Sequence, residues 1–309
     1  MDINKLIKRI KKYSKNADFN LIAKAYLFAK KAHEKQLRKS GDSYIIHPLN
    51  VAYILADLKL DEIIIASALL HDVLEDTDVT IEKLKQEFGQ DISTIIQGVT
   101  KISKMNYYDK KDYHAETIRK MLIATTKDIR VIIVKLADRL GNMRTLQYLD
   151  EERQRKISRE TLDIYAPLAY RLGIWKIKWE LEDLSFKYLE PKIYQELKQN
   201  IAKKRKEREK EVKKIINIVK KELRKNKIKA RVLGRPKNFY SIYKKMKKKN
   251  IPFDEIYDLQ GLRIITKDVR QCYEILGTLH NLWKPIPNEF DDYIANPSPI
   301  CTKAFIQLF

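Results

Sequence analysis

The segment that most constrains the fold is an apolar run, IIIASALL at residues 63–70, which ends directly at His71 and Asp72. Asp61 is a suitable N-cap before this run, and nothing within it breaks a helix, so residues 61–75 are predicted to be helical. The run is too short to cross a membrane and predicts a helix buried in a protein core. Because there are only 8 Gly and 9 Pro among 309 residues, the whole chain is predicted to be mainly helical.

The polar pair at the end of this helix and two distant residues form a set typical of metal sites. His71 and Asp72 lie near the end of the helix. His47 precedes a proline, which predicts a loop or a helix start. Asp138 lies in residues 129–146, whose apolar periodicity predicts another helix. Such a mixture of imidazoles and carboxylates suits Mn²⁺ or Fe²⁺ better than a structural Zn²⁺ held by thiolates.

Two further acids point to hydrolysis of a phosphate ester. Glu75 follows His71 by four residues, and Asp76 follows Asp72 by four, so each acid shares a helix face with a candidate ligand. These acids can orient or deprotonate a water molecule whose pKa the metal lowers. Taken alone, however, a His-Asp pair is common, and a histidine on an apolar helix is more often a core residue than a ligand. The remaining motifs decide between these two interpretations.

Length and cysteine content bound the class of protein. A chain of 309 residues predicts two domains or slightly more. The start, MDINKLIKRIKKYSK, has no apolar segment of the kind found in secretion signals, and no run is long enough to span a membrane. Cys272 and Cys301 do not make a disulfide framework. A cytoplasmic protein without a membrane partner is therefore predicted.

The positive charge is concentrated in one part of the chain. The net charge is +22, and residues 198–249 hold 23 Lys and Arg against 4 Asp and Glu. A long charged helix is predicted at about residues 191–226, and its charges are interpreted mainly as a solvated face. The alternative is an anion-binding surface for nucleotide or RNA. For residues 234–250, GRPKNFYSIYKKMKKKN, the anion-binding interpretation is preferred.

Five long strings occur in an order that resembles a known family. They are RKSGDSYIIHPLNVAYILADL (38–58), LLHDVLEDTDVTIEKLKQEFG (69–89), GVTKI (98–102), KDIRVIIVKLADRLGNMRTL (127–146) and ISRETLDIYAPLAYRLGIWKIKWELEDLSFKYL (157–189). The chain resembles the RelA/SpoT family, which makes and degrades the alarmone (p)ppGpp, from about residue 20 to about residue 298. Because several long strings match in order, the resemblance is specific.

The resemblance implies a hydrolase site in the first part of the chain. In this family the first domain is an all-helical HD-type hydrolase that removes the 3′-pyrophosphate of (p)ppGpp, usually with Mn²⁺. The implied metal ligands are His47, His71, Asp72 and Asp138. Glu75 and Asp76 match the acidic pair that acts on the attacking water.

The resemblance also implies contacts to the nucleotide. Arg38 and Lys39 match the loop that packs against the guanine nucleotide, and Asn142 and Thr145 match positions that help to hold the nucleoside. Gly141 stands where the family usually has a histidine. That histidine is not a metal ligand, so altered substrate contacts or rate are expected rather than loss of metal.

The basic string 234–250 resembles the start of the family's synthetase domain, which carries a pyrophosphate from ATP to GDP or GTP. The residues implied to lie along the ATP phosphates are Arg235, Lys237 and Lys245. In residues 254–266, DEIYDLQGLRIIT, Asp258 is implied to place Mg²⁺, and the alternation in GLRIIT predicts a strand.

The end of the chain departs from the family. Residues 289–297, EFDDYIANP, carry an acidic form that resembles synthetases with degenerate hydrolase domains, which is unusual beside intact hydrolase motifs. The tail ICTKAFIQLF, residues 300–309, replaces the string NxYxSLHTTV that typical members have. A possible codon string for this tail, read in a shifted frame, gives MYKSLHTTV, so a frameshift is hypothesised. The synthetase domain is therefore predicted to be incomplete and inactive, and Mg²⁺ would matter only if that site were complete.

The predicted organisation has three parts: an all-helical HD-type hydrolase domain (1–155), a helical connector (156–200) and a truncated α/β nucleotidyltransferase-like synthetase domain (201–309). The predicted activity is Mn²⁺-dependent hydrolysis of (p)ppGpp to GDP or GTP plus pyrophosphate. Three alternatives stay open. The chain could be an HD phosphohydrolase for another nucleotide, or a non-catalytic module that senses nucleotide or RNA, with a ribosome contact through its basic half. It could also be a fragment of a bifunctional family member.

Overall fold

The computed structural model describes residues 2–103, 128–236, 238–253, 260–286, 290–296 and 305–307. Within these residues the chain is mainly helical and has two small sheets, which confirms the predicted fold class at this level. The chain divides into two units, Met1–Ala169 with Trp175–Tyr188, and Tyr170–Ile174 with Leu189–Phe309. Residues 156–200, the predicted connector, are shared between the two units.

The first unit is built from helices, two of which reach its boundary. They are α1 (Ile3–Lys11), α2 (Phe19–Ala32), α3 (Ile46–Asp57), α4 (Glu62–Leu70), α5 (Val73–Asp76), α6 (Ile81–Ser103, interrupted at Gly89), α7 (Ile129–Arg144), α8 (Glu151–Glu160), α9 (Ala166–Arg171) and α10 (Trp175–Leu189). A 3-10 turn, Leu146–Tyr148, follows α7, and a π-helical turn, Thr161–Tyr165, joins α8 to α9. None of the described helices is long and apolar enough to span a membrane.

Helix α4 lies at the centre of this unit. Every residue from Ile64 to Leu70 is buried, and the helix packs against α2, α3, α6 and α7. The carboxylate of Asp61 caps its start by accepting a hydrogen bond of 2.9 Å from the backbone N–H of Ile64. A helix that is apolar on every face is stable only when other helices surround it, because only then is all of its surface removed from water.

The prediction of one continuous helix over residues 61–75 is wrong. Helix α4 ends at Leu70, and α5 begins at Val73. The imidazole Nδ1 of His71 makes a 2.8 Å hydrogen bond with the carbonyl of Ala68, an acceptor in the last turn of α4. A side chain that takes a backbone acceptor competes with the helical pattern, so the helix stops here. The resulting turn at His71 and Asp72 brings two adjacent side chains to one side.

The second unit combines helices with short strands. Its elements are α11 (Pro191–Lys225), β1 (Arg231–Pro236), α12 (Phe239–Lys249), β2 (Gln260–Ile265), α13 (Val269–Leu282), β3 (Phe290–Asp292) and β4 (Phe305–Gln307). Strand β1 pairs antiparallel with β2, and β3 pairs antiparallel with β4. The long helix and the GLRIIT strand predicted from the sequence are confirmed by α11 and β2. A buried cluster joins α11, β1 and α13 through Val219, Leu223, Val232 and Ile275.

Candidate metal centre

Three elements of the first unit bring four predicted ligands together. His47 lies in the first turn of α3, His71 and Asp72 lie in the turn between α4 and α5, and Asp138 lies on α7. The Nε2 atom of His47 lies 3.1 Å from Oδ1 of Asp138 and 3.6 Å from Oδ2 of Asp72. The Nε2 atom of His71 lies 3.0 Å from Oδ1 of Asp72 and 3.7 Å from Oδ1 of Asp138.

The imidazole of His71 shows that this set fits a divalent ion. Because its Nδ1 hydrogen-bonds the carbonyl of Ala68, the neutral ring carries its proton on Nδ1 and a lone pair on Nε2. Nε2 is fully buried and makes no well-oriented hydrogen bond among the described residues, although Oδ1 of Asp72 lies 3.0 Å away. A buried polar atom without a partner costs free energy, and a metal ion at this point would satisfy it. His47, His71 and Asp138 offer ligand atoms that all lie within 4.8 Å of one another.

The charges at the site favour a bound cation. Burial opposes ionisation of Asp138, but the ammonium of Lys135 and the two imidazoles outweigh this effect and hold the pKa of Asp138 well below its ordinary value. Burial would lower the pKa of His71, but the carboxylates of Asp72 and Asp138 raise it to about 10 when no metal is bound. Burial lowers the pKa of His47. The two carboxylates therefore stay ionised and attract positive charge.

Tyr44 connects a predicted ligand with one of the two acids expected to act on water. Its hydroxyl lies 3.1 Å from Oδ2 of Asp72 and 2.5 Å from Oδ2 of Asp76. A hydroxyl has one proton and donates it to one carboxylate at a time. Burial and the neighbouring carboxylates raise the pKa of Tyr44 far above its ordinary value, so the proton stays on the phenol. The ring stacks on His33 at 4.5 Å between centroids. Glu75 lies beside Asp76 in α5, and its side chain is partly buried.

One of the four predicted nucleotide-binding residues, Asn142, contacts a candidate ligand, and a second, Arg38, contacts Asn142. Nη2 of Arg38 donates a 2.8 Å hydrogen bond to Oδ1 of Asn142. Nδ2 of Asn142 in turn donates a 2.7 Å hydrogen bond to Oδ1 of Asp138. Lys39 is exposed, whereas the hydroxyl of Thr145 donates to carbonyls of its own helix at 3.2 and 3.4 Å. The loop that holds Arg38 is thus linked through one amide to a candidate metal ligand.

Gly141 lies directly behind the ring of His47. A Cβ atom at this position would lie 3.2 Å from Cε1 and 3.4 Å from Nδ1 of that imidazole. The first of these contacts is tighter than ordinary van der Waals separation, so any side chain at position 141 presses on the ligand. The sequence suggested an influence on substrate contacts or rate, and the structure places Gly141 against a candidate metal ligand.

Sequence reasoning missed Tyr44 and Lys135. Lys135 lies three residues before Asp138, and Nζ is 2.8 Å from Oδ2 of that carboxylate. Because residues three apart on a helix are neighbours, the spacing alone could have identified this pair. Tyr44 is 28 residues from Asp72 and lies outside regular structure, so no sequence signal indicates its contact.

Two of the four residues predicted for the synthetase site lie within the described part of the chain. Arg235 lies in β1, and Lys245 lies on α12. Lys237 and Asp258 lie outside the described residues. These four assignments stay predictions.

Comparison with known proteins finds two parts in the order predicted. A family model described as "HD domain" matches residues 25–175, and one described as "Region found in RelA / SpoT proteins" matches residues 234–303. A "GTP pyrophosphokinase" from Myxococcus xanthus is 48% identical over 293 residues, which are 94% of this chain and 39% of that protein. A "Guanosine-3′,5′-bis(diphosphate) 3′-pyrophosphohydrolase" from Aquifex aeolicus is 46% identical over 299 residues, which are 96% of this chain and 42% of that protein.

A third relative has both activities in its name. The "Bifunctional (p)ppGpp synthase/hydrolase SpoT" of Escherichia coli is 46% identical over 288 residues, which are 93% of this chain and 41% of that protein. The chain thus spans 39–42% of the length of these three relatives. With an HD domain followed by a RelA/SpoT region, and with 46–48% identity to these proteins over 93–96% of its own length, the chain belongs to the RelA/SpoT family.

Proposed function

We propose that the first unit hydrolyses the 3′-pyrophosphate of (p)ppGpp and releases GDP or GTP and pyrophosphate. The names of the relatives include both synthesis and hydrolysis, so names alone do not choose between these reactions. The observation that carries the proposal is the convergence of two imidazoles and two carboxylates around the buried Nε2 of His71. That arrangement supports metal-assisted hydrolysis of a phosphate ester.

The ligand set would be His47, His71, Asp72 and Asp138, and the ion would be Mn²⁺. Nitrogen and carboxylate donors without thiolate suit such an ion. When bound, it would lower the pKa of a water molecule and neutralise charge on the phosphate. The hydrogen bonds that hold these side chains in the described structure mean that little reorganisation is needed on binding.

Glu75 and Asp76 would orient the attacking water and accept its proton. Asp76 is exposed, and its carboxylate shares the hydroxyl of Tyr44 with the ligand Asp72, so it lies at the edge of the site. Glu75 lies in the same turn of helix. In the proposed mechanism this acidic pair orients the water and accepts its proton as the water attacks phosphorus.

Arg38 would bind the nucleotide while keeping its bond to Asn142. A guanidinium has five N–H donors and a planar face, so one bond to Asn142 leaves donors for phosphate oxygens and a surface for the base. Lys39 is exposed in the same loop and would add a second positive charge. Thr145 would assist by turning its hydroxyl from the helix carbonyls to the nucleoside.

The test is incubation of the purified chain with ppGpp and Mn²⁺, followed by separation of the products. We expect GDP and pyrophosphate. Asp72→Ala should remove metal retention and turnover, whereas Asp57→Ala, which removes an exposed partner of Arg9, should leave both unchanged. Tight nucleotide binding by the Mn²⁺-loaded chain without any product would contradict hydrolysis and favour the non-catalytic sensing module.

Absence of synthesis stays a prediction from sequence. It is tested by incubating the same preparation with ATP, GDP and Mg²⁺, and formation of ppGpp would contradict it. Contact with RNA through the basic segment also stays an alternative. This alternative is supported by the positive charge of residues 198–249, which hold 23 Lys and Arg against 4 Asp and Glu.

A further inference from the structure

Lys135 is the closest described cation to the candidate metal ligands. It lies one turn before Asp138 on α7, and Nζ contacts Oδ2 of that carboxylate at 2.8 Å. Its side chain is 13% exposed, and that of Asp138 is 6% exposed. The proposed mechanism gives no role to this ammonium. Burial of a charged ammonium group costs free energy, so the position of Lys135 calls for a functional explanation.

The two oxygens of Asp138 have different surroundings. Oδ2 faces Lys135, whereas Oδ1 lies 3.1 Å from Nε2 of His47 and 3.7 Å from Nε2 of His71. Oδ1 also accepts the hydrogen bond from Asn142. The carboxylate is therefore oriented so that a single oxygen points towards both imidazoles.

We propose that Lys135 is a positioning residue that occupies one oxygen of Asp138, so that this carboxylate gives the ion a single ligand atom and leaves a coordination position open. The inference rests on the proposed metal site. A carboxylate can bind a cation through one oxygen or through both. If each of the four protein ligands gave one atom, an ion that takes six ligands would keep two positions for water and a phosphate oxygen. A second bond from Asp138 would fill one of them.

The positive charge of Lys135 should have opposite effects on metal binding and on turnover. The carboxylates of Asp72 and Asp138 balance the two charges of the ion, and the ammonium of Lys135 adds one positive charge beside them. This charge repels the ion but attracts a substrate with many phosphate charges. Removal of Lys135 should therefore tighten metal binding while it impairs turnover. A residue that only supports the fold would weaken both.

The experiment compares Lys135→Met with the matched control Lys178→Met. Lys178 forms a comparably buried pair with Glu182, at 3.0 Å on α10. Mn²⁺ affinity is measured by titration, and the number of water molecules on bound Mn²⁺ is measured by water-proton relaxation. For Lys135→Met we expect Mn²⁺ to bind about tenfold more tightly. We also expect one fewer bound water and a kcat about 10- to 100-fold lower. Lys178→Met should match the wild type in all three quantities.

Each result decides the matter. Weaker Mn²⁺ binding by Lys135→Met, or an unchanged number of bound waters, would overturn the inference while the proposed function stands. Failure of the wild-type chain to bind Mn²⁺ at all would overturn the proposed metal site itself. If Lys135→Met does not fold, the crystal structure of the wild-type chain with Mn²⁺ decides: one oxygen of Asp138 on the ion supports the role of Lys135, and two oxygens refute it.

Discussion

Three of the four candidate ligands are held by different kinds of neighbour. A backbone carbonyl, that of Ala68, orients His71, and the phenol of Tyr44 contacts Asp72. Asp138 is held by Lys135 and by an amide from its own helix. Because these contacts exist without a metal, the side chains are oriented before an ion arrives. Such partners commonly change metal affinity or activity 10- to 100-fold when they are removed.

At the residue scale, we expect Glu75→Gln to separate metal binding from catalysis. Glutamine keeps the size of the side chain but cannot accept a proton from water at neutral pH. The variant should retain Mn²⁺ and nucleotide binding and lose about 100-fold or more in kcat. Metal content after dialysis and steady-state kinetics with ppGpp measure these effects. If the metal is lost and excess Mn²⁺ restores the rate, Glu75 is a ligand instead.

A second prediction concerns Gly141 behind His47. In Gly141→Ala the new methyl group meets the imidazole at 3.2 Å, so the ring has to move by a few tenths of an ångström. Since a displacement of about 1 Å can cost 100-fold in rate, this smaller shift should lower Mn²⁺ affinity or kcat by less than about tenfold. Gly277→Ala is the matched control, because a Cβ there meets nothing within 4 Å. Wild-type Mn²⁺ affinity and kcat in Gly141→Ala would show that the ring is not constrained from this side.

The sequence predicted which four candidate ligands would be grouped together, but it did not predict the side chains that hold them. His47 and Asp138 are 91 residues apart, and only whole motifs connect them in sequence. The hydroxyl of Tyr44 contacts Asp72 and Asp76, which lie 28 and 32 positions away in the sequence. Contacts of this kind depend on how helices pack, which no local pattern encodes. Lys135 is the exception, since its helical spacing to Asp138 can be read directly.

At the scale of elements, the break between α4 and α5 is the main departure from expectation. Helical propensity and apolar periodicity continue through residues 61–75, and both favour one helix. The competing interaction is a single hydrogen bond from the imidazole of His71 to the Ala68 carbonyl. The hydrogen bond of His71 thus prevails over local propensity at the site, whereas α11 follows the sequence pattern.

The start of α7 carries a pH-dependent contribution to stability. Asp128 caps this helix by accepting from the backbone N–H of Arg130, and it also binds the guanidinium at 2.8–3.0 Å. The hydrogen bond from the Arg130 side chain lowers the pKa of Asp128 below its ordinary value of 3.8. A carboxylate whose pKa falls on folding stabilises the folded state above its unfolded pKa, and this stabilisation is lost as the pH falls through the folded pKa.

We therefore expect Asp128→Asn to destabilise the protein at neutral pH but not in acid. Asparagine still caps a helix but carries no charge, so the loss at pH 7 should be about 1 kcal/mol. The difference from wild type should shrink as the pH falls below 3.8. Denaturant unfolding at several pH values measures it. Asp18→Asn, at the cap of α2, is the control and should be nearly neutral. A difference that stays constant with pH would exclude the ionic contribution.

At the scale of the whole molecule, the candidate metal site belongs to one unit. All four ligands, Lys135 and Tyr44 fall within Met1–Ala169. A fragment of residues 1–188 should therefore bind Mn²⁺ with an affinity within about twofold of the full chain, because it keeps every side chain proposed to hold or orient the ion. Calorimetric titration of both proteins tests this, with Asp72→Ala in the fragment as the blank. A fragment that folds by circular dichroism but binds no Mn²⁺ would contradict it.

In the second unit, one strand is predictable from the sequence, whereas the pairing of the strands is not. The GLRIIT pattern correctly predicted β2, because strict alternation is a local property. Its partner β1 contains Gly234 and Pro236, so a strand there depends on pairing with β2 rather than on its own residues. The pairing of β3 with β4 joins segments with little strand pattern of their own. Long-range pairing of this kind becomes visible only in the folded chain.

The central position of α4 restricts how this protein can evolve. The helix that ends at His71 and Asp72 is also the one that α2, α3, α6 and α7 surround. A conservative exchange of one apolar residue around α4 would shift the two ligands at its end, even though that residue touches no substrate. Homologues should therefore drift more slowly in this core than in parts whose packing supports no chemistry. Variants that regain activity after damage to the site should often carry their second substitution among the buried aliphatic side chains.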